Sequence, residues 1–247
     1  MEILGIDVGG TGIKGALVDT KKGVMVTERY RLRTPQPATP ELMIETIKGI
    51  VENYKWTGPI GCGFPAPIVH GKPHLASNIS SEWMKLDIMK TLADATGCRV
   101  AVANDADVAG LAEMRFGAGR NRSGLVIIVT LGTGIGSALF MDGRLVPNTE
   151  LGHIEINGKE AEPWAAEIVR EKKGLSWKKW AKRVNTYLER MQLYFWPELF
   201  IIGGGVSKKH EKFFPYFTVG CEVVPAQLRN EAGIIGAATL AAESLNL

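Results

Sequence analysis

Gly10-Thr11-Gly12-Ile13-Lys14-Gly15-Ala16-Leu17 returns about half a chain later as Gly132-Thr133-Gly134-Ile135-Gly136-Ser137-Ala138-Leu139. The copies differ at two places, Lys14 against Gly136 and Gly15 against Ser137. Each copy follows an apolar run, residues 3–8 and residues 125–130. An apolar run, a glycine-rich turn and a second apolar run read as strand–turn–strand. The same unit twice in one chain points to two similar halves.

Outward from the first copy, Lys22-Gly23 reads as a turn and residues 24–32 as a third strand, so the chain opens on an antiparallel meander. Residues 33–40 are a proline-rich connection. A helix follows, with Thr39 as N-cap and Pro40 at its first position, and with Ile44, Ile47, Val51 and Tyr54 at helical spacing. Residues 60–64 are a short apolar strand. Residues 86–96 read as a helix stopped by Gly97. Residues 100–103 form a strand that ends at Asn104-Asp105, with a helix starting near Asp107. Ser176 caps a long helix carrying Trp177, Trp180, Val184, Tyr187 and Met191. The two tryptophans, at helical spacing, are expected in the core or at an interface. Residues 199–202 form a strand running into Gly203-Gly204-Gly205, and the alanine-rich end from Gly233 is helical. Strands alternating with helices, and glycines at strand ends, predict α/β layering.

Composition narrows the class. The chain has 247 residues, 45% hydrophobic and 22% charged, with a net charge of +3. That is ordinary for a globular protein and does not by itself imply a nucleic-acid partner. No apolar run is long enough to span a bilayer, so no membrane role is expected. The chain enters a strand directly from Met1 without the pattern of an export signal, which predicts a cytoplasmic protein. Three separated cysteines, Cys62, Cys98 and Cys221, predict buried free thiols rather than a disulfide or zinc framework. His70, His74 and His210 have no evident partner and are expected at the surface.

The residues around the first hairpin carry chemistry. In Asp7-Val8-Gly9-Gly10-Thr11-Gly12-Ile13-Lys14, glycine lets backbone N–H groups approach a ligand and form an anion nest. Thr11 adds a hydroxyl, Lys14 a point charge, and Asp7 a carboxylate able to orient a hydrated Mg²⁺. A plain glycine hairpin explains the glycines but not these three neighbours. The second copy keeps Gly132, Thr133 and Gly134 but lacks the acid and the lysine. Neither is a Walker loop or a dinucleotide fingerprint, because a strand follows each turn. Asn104-Asp105 ends a strand just before a helix, where a carboxylate can accept a proton from an attacking hydroxyl. Either Asp105 or Asp107 would equally serve as a helix cap; Asp107 is the expected cap and Asp105 the expected base. Glu150, His153 and Glu155 form a polar cluster after the second hairpin, suited to gripping vicinal sugar hydroxyls. A metal site or a satisfied core histidine is the bland alternative.

Together these motifs resemble the ROK family of sugar kinases and repressors. The phosphate motif Asp7–Lys14, the second glycine motif Leu131–Gly136, the pair Asn104-Asp105, the run Glu150-Leu-Gly-His153 and the nucleotide-side motif Gly203-Gly-Gly-Val-Ser-Lys208 all match its pattern, and the likeness runs the length of the chain. The stretch from Leu131 through His153 is similar to the polyphosphate-using subgroup. The resemblance implies an actin-like (ribonuclease H-like) ATPase fold of two lobes, residues 1–106 with 233–247 and residues 107–232. It implies phosphoryl transfer from inorganic polyphosphate, with ATP as a further donor, to the 6-hydroxyl of glucose. Asp105 would be the general base. Asn78, Asn104, Glu150, His153 and Glu162 would hold the sugar. Asp7, Gly9, Gly10, Thr11 and Lys14, with Gly132, Thr133, Gly134, Gly203, Gly204 and Gly205, would serve the donor phosphates, and Asp7 would meet Mg²⁺ through water. A homodimer is implied as well.

Two departures bear on this. The cysteine-rich zinc motif common in the family after the histidine is absent, so no zinc site is expected and His153 is left for sugar. Phe64-Pro-Ala-Pro67 has alanine where many relatives have glycine, on a sugar-side loop. The alternative enzyme is an ATP-dependent glucokinase or N-acetylhexosamine kinase of the same family. The alternative class is a non-catalytic sugar sensor, against which the set Asp7, Lys14 and Asp105 argues. A repressor's DNA-reading helices would precede the first strand. For a polyphosphate donor, Arg120, Arg122, Lys208 and Lys209 are the candidate contacts, each equally readable as ordinary surface charge.

Overall fold

The computed structural model describes residues 1–74 and 79–246. The chain divides into two units, Met1–Phe116 joined by the segment from Glu231 onward, and Gly117–Asn230.

The first unit grows from its glycine hairpin. β1 (Glu2–Gly9) pairs antiparallel with β2 (Gly12–Asp19), leaving Gly10 and Thr11 as a two-residue turn. The single strand expected over residues 24–32 is two short ones, β3 (Val24–Met25) and β4 (Tyr30–Leu32), both paired with β2. The break has a cause. The Leu17 N–H donates to the Thr27 hydroxyl at 3.0 Å, so a side chain replaces a ladder carbonyl there. Tyr54 Oη donates to the carbonyl of Gly15 at 2.9 Å and accepts from the Tyr30 N–H at 3.0 Å, pinning the returning chain.

α1 (Pro40–Asn53) starts where the Thr39-Pro40 pair predicts, although the Thr39 hydroxyl makes no capping bond. It buries Met43, Ile47, Ile50 and Val51. β5 (Ile60–Phe64), wholly buried, lies parallel to β1. A small hairpin, β6 (Ile68–Val69) with β7 (Lys72–Pro73), follows. α2 (Ile88–Thr96) begins after Leu86 because the Asp87 carboxylate caps it, accepting from the Lys90 N–H at 3.0 Å; Gly97 ends it at φ 70°. β8 (Val100–Asn104) then lies parallel to β5, and α3 (Asp105–Phe116) starts at once. The boundary expected at residue 106 therefore falls inside a helix.

The C-terminal helix, Ala232–Ser244, returns to this unit through close backbone contact. A Cβ on Gly5 of β1 would stand 2.1 Å from the Ile234 carbonyl oxygen, and one on Gly61 of β5 only 1.7 Å from that of Ala237. Glycine in the strands and alanine in the helix let the helix lie on the sheet with nothing larger between them.

In the second unit β9 (Leu125–Leu131) and β10 (Ile135–Met141) form the second hairpin, extended by β11 (Arg144–Val146). Its register leaves three loop residues, Gly132 to Gly134, where the first copy leaves two. β12 (Glu155–Ile156) pairs with β13 (Lys159–Glu160), and three helices follow: α4 (Glu162–Ala165), α5 (Glu167–Lys172) and α6 (Trp177–Phe195). β14 (Leu199–Gly203) and β15 (Glu222–Pro225) complete a sheet ordered β11-β10-β9-β14-β15. The first unit has β2-β1-β5-β8 in the same sense, one antiparallel pair and then two parallel ones. The sequence repeat is thus a repeat of sheet topology.

α6 packs Trp180, Ala181, Val184, Tyr187, Leu188 and Met191 into a core shared with β9 and β14. The Ser176 hydroxyl caps it, accepting from the Lys179 N–H. Trp180 is fully buried, with its indole N–H on the Ala165 carbonyl at 2.8 Å. Cys62 and Cys98 are buried free thiols, whereas Cys221 is only half-buried. Burial, with the Asp7 charge nearby, pushes the Cys62 thiol up to about 12, so it carries no nucleophilic chemistry. No helix among the described residues is long and apolar enough to cross a membrane.

Candidate active site

Asp7 and Lys14 face each other in the β1–β2 register, and Lys14 Nζ lies 3.1 Å from Asp7 Oδ2. Beneath them the C-terminal helix comes so close that a Cβ on Gly233 would stand 2.8 Å from Asp7 Cγ. Thr11 and Gly10 are exposed at the tip. The tip is braced by residues the motif does not contain. Arg31 donates from Nη2 to the Thr11 carbonyl at 3.1 Å, and the Thr34 hydroxyl donates to the Gly9 carbonyl. Both carbonyls are thereby engaged, and Arg31 adds a second cation beside Lys14, its register partner across β2 and β4. Arg31 and Thr34 escape a sequence reading because a motif search stops at Lys14 and only strand pairing brings residue 31 back.

Asp7, Gly63 and Ala103 stand in one row across β1, β5 and β8. Two strand spacings put Asp7 and Ala103 about 10 Å apart. Asp105 lies just beyond Ala103, so the donor pair and the candidate base share one edge of one sheet, at the carboxyl ends of its parallel strands. Asp105 is half-buried, and its Oδ1 accepts from the Ala106 N–H at 2.7 Å. The cap of α3 is neither aspartate weighed for it. Asn104 Oδ1 accepts from the N–H groups of Ala106 at 2.8 Å and Asp107 at 3.3 Å. Asp107 is fully buried in the first turn. Asn104, 6% exposed, is tied to the helix through that oxygen. Asn78 lies outside the described residues.

In the second unit Ser137, where the first copy has Gly15, organises the polar cluster. Its hydroxyl donates to the Thr149 carbonyl at 2.6 Å and accepts from the Leu151 N–H at 3.0 Å, bracketing Glu150. Gly152 lies against β10 so tightly that a Cβ would stand 2.3 Å from the Ile135 carbonyl oxygen. Glu150 is half-buried, and burial raises its carboxyl above the usual range; His153 opposes that shift and Glu162 adds to it. His153 Nδ1 lies 3.3 Å from Glu160 Oε2, a partner supplied by the β12–β13 hairpin. Glu155, expected in the cluster, is exposed on that hairpin opposite Glu160. Glu162 Oε2 accepts from the Ile135 N–H at 2.8 Å and fills the space over Gly134, where a Cβ would stand 2.4 Å from it. Glu162 thus fixes the second glycine loop with one oxygen. Thr133 is exposed at that loop's tip.

Of the glycines in the three motifs, Gly204 alone has positive φ, 82°, and a Cβ there would meet the Leu131 carbonyl oxygen at 2.1 Å. Beside Gly203–Gly205 opens a cavity of about 430 Å³ lined by Arg122, Ser207, His210, Pro225 and Arg229 among others. Arg122 is held by Glu222 at 2.9 Å. No group of three or more metal-ligating side chains occurs among the described residues. One carboxylate, Asp7, with a lysine beside it, suits Mg²⁺ held mainly by water and donor phosphates rather than by a protein cage.

The chain has relatives among known proteins. The sequence model of the ROK family matches residues 3–165. The chain is 48% identical over 235 residues to a polyphosphate glucokinase of Mycobacterium tuberculosis, covering 95% of this chain and 89% of that one. Among solved structures it is similar to an inorganic polyphosphate/ATP-glucomannokinase from Arthrobacter sp. strain KM, with 47% identity, a TM-score of 0.94, and 98% and 99% of the two chains covered. A ROK family glucokinase from Streptomyces griseus, solved with glucose and AMPPNP, shares the fold at 23% identity and a TM-score of 0.83, with 98% and 100% covered.

Proposed function

The chain belongs to the ROK family, and from that premise we propose that it transfers a phosphoryl group from inorganic polyphosphate to the 6-hydroxyl of glucose. The observation that carries the mechanism is the shared sheet edge of Asp105 and the Asp7–Lys14 pair. The Asp105 carboxylate takes the proton of the 6-hydroxyl as that oxygen bonds to the terminal phosphorus. The bridging P–O bond breaks, giving glucose 6-phosphate and a polyphosphate shorter by one unit. The transition state is loose, so placement and charge stabilisation matter more than base strength. Lys14, Arg31 and the exposed turn at Gly10-Thr11 supply positive potential and donors for the terminal phosphates. Mg²⁺, when bound near Asp7, neutralises charge on the donor's phosphate oxygens.

In the second unit Glu150 and His153 hold sugar hydroxyls, the histidine oriented by Glu160. Glu162 contributes its remaining oxygen to the sugar, and Thr133 its hydroxyl to the donor phosphates. The cavity beside Gly203–Gly205 favours ATP as a further donor, because its size and its arginines suit a nucleotide. The exposed Leu193, Tyr194 and Trp196 at the end of α6 support a homodimer and a light-scattering test of it.

The deciding experiment is glucose phosphorylation by the purified protein with Mg²⁺, comparing nucleotide-free polyphosphate with ATP. Turnover with polyphosphate is expected. Turnover with ATP alone would make the protein an ordinary glucokinase, and sugar binding without turnover from either donor would favour the sensor.

A further inference from the structure

The Gly203–Gly205 motif leads into a 3-10 segment, Gly205–Lys212, that is kinked at Lys209, where φ is −115° and ψ 27°. Ser207 and His210 line the cavity described above. Lys209 and Lys212 turn to another face, where their Nζ atoms lie 6.0 and 5.8 Å from the ring centroid of Trp177. The guanidinium of Arg170 lies 4.2 Å from the same centroid, and Trp177 stacks on Phe213 at 6.0 Å and 14°. Three cations therefore gather around one half-buried indole.

Such a gathering costs energy through like-charge repulsion, which the ring's quadrupole offsets only partly. Carboxylates do not finish the task. Arg170 has Glu167 at 2.8 Å and Glu171 at 3.5 Å, and Glu211 pairs with His210 at 3.7 Å. Lys209 and Lys212 have no ion pair among the described residues, nor do Lys172, Lys173, Lys178 and Lys179, which flank Arg170 and Trp177 in the chain and are exposed. Lys209 and Lys212 thus present cationic surface a few residues after a donor-side glycine motif, and four further exposed lysines lie close to their shared Trp177 in the chain.

We propose that this surface, Lys209 and Lys212 with the lysines around Trp177, is the track for the distal phosphates of a long polyphosphate donor. The proposal rests on the polyphosphate reading above and adds where the chain goes beyond its reacting end. A triphosphate offers too few phosphates to engage all six lysines, whereas a chain of many phosphates gains from each lysine through counterion release. Of the contacts weighed from the sequence the track keeps Lys209, which joins the Trp177 cluster, and leaves out Arg122, which is already paired with Glu222.

The test compares K209A/K212A with the parent protein, using polyphosphate of hundreds of units and tripolyphosphate as donors. A second variant, K173A/K178A, guards against a local effect on the 3-10 helix. For each double variant the long-chain KM should rise about tenfold, while the tripolyphosphate KM stays within about twofold. The salt slope of long-chain affinity should shrink by roughly one to two. An unchanged long-chain KM, or an equal rise for both lengths, overturns the track while leaving polyphosphate turnover standing. Homopolymeric RNA competing as well as polyphosphate of equal charge, with the long-chain KM indifferent to both variants, would mark a nucleic-acid surface and overturn it too. Turnover with ATP and none with either polyphosphate would refute the donor reading itself.

Discussion

Ser137→Ala is the sharpest perturbation of the sugar side, because it touches no proposed ligand-binding group. Ser137 is 2% exposed, so water cannot replace its hydroxyl. The change removes the 2.6 Å bond to the Thr149 carbonyl and the 3.0 Å bond from the Leu151 N–H. Each neutral bond contributes about 1 kcal/mol net, and stranding a buried partner adds a further penalty, so the loss should be about 2–3 kcal/mol. If about half of it falls on the turn that carries Glu150, the glucose KM should rise about tenfold, since 1.4 kcal/mol is a factor of ten. Urea unfolding would read the total loss, and initial rates with glucose and polyphosphate varied in turn would read its partition. The donor KM should stay within about twofold. A full loss of stability with an unchanged glucose KM would refute the link between this serine and sugar binding, and so would a rise confined to the donor KM.

Asp105→Ala should cut kcat by about a thousandfold or more, if base and positioning roles coincide; near-normal turnover removes Asp105 as the base. Lys14→Met should raise the donor KM more than the glucose KM, because it takes away the cation paired with Asp7; the reverse order assigns Lys14 to the sugar. Glu150 has its carboxyl raised by burial, so the folded state holds its proton more tightly than the unfolded state, and the stability it contributes falls as pH rises from the ordinary glutamate value through the raised one. Glu150→Gln should therefore raise Tm at neutral pH, with the gain vanishing at acid pH, while weakening glucose binding. A Tm difference that grows as pH falls would contradict the burial argument.

Much of this was legible because it is local. The repeated hairpins, the helix start at Thr39-Pro40, the Gly97 stop and the Ser176 cap all follow from a few neighbouring residues. What sequence could not supply came from pairing at a distance. The break between β3 and β4 depends on Thr27 reaching Leu17 and on Tyr54 reaching Tyr30. The three-residue second loop follows from a register one step off the first, which identical letters conceal. At the site, Arg31 and Glu160 arrive through strand pairs, and Asn104 takes the cap because it stands just before the helix, where its Oδ1 reaches the N–H groups of both Ala106 and Asp107.

The two letters that separate the repeats also divide their work. In the first copy Lys14 points at Asp7 and makes a charged donor hairpin, while Gly15 leaves room for α1. A Cβ at Gly15 would stand 2.6 Å from Ile50 Cγ2 and 3.3 Å from the Gly5 carbonyl oxygen. In the second copy Gly136 brings no charge, and Ser137 uses the corresponding space to hold the Glu150 turn. A serine at residue 15 would therefore meet a packed helix instead of a turn that needs it. Ile50 is fully buried and branched at Cβ, so it has little freedom to withdraw. Gly15→Ser should destabilise the protein by about 1–3 kcal/mol through overpacking. The molecules that remain folded should keep the parent's glucose KM, because no sugar group lies on α1. A fully stable Gly15→Ser protein would mean that α1 yields more easily than its buried face implies. A raised glucose KM would mean that the first copy, too, positions sugar, and that the division of labour between the hairpins is wrong.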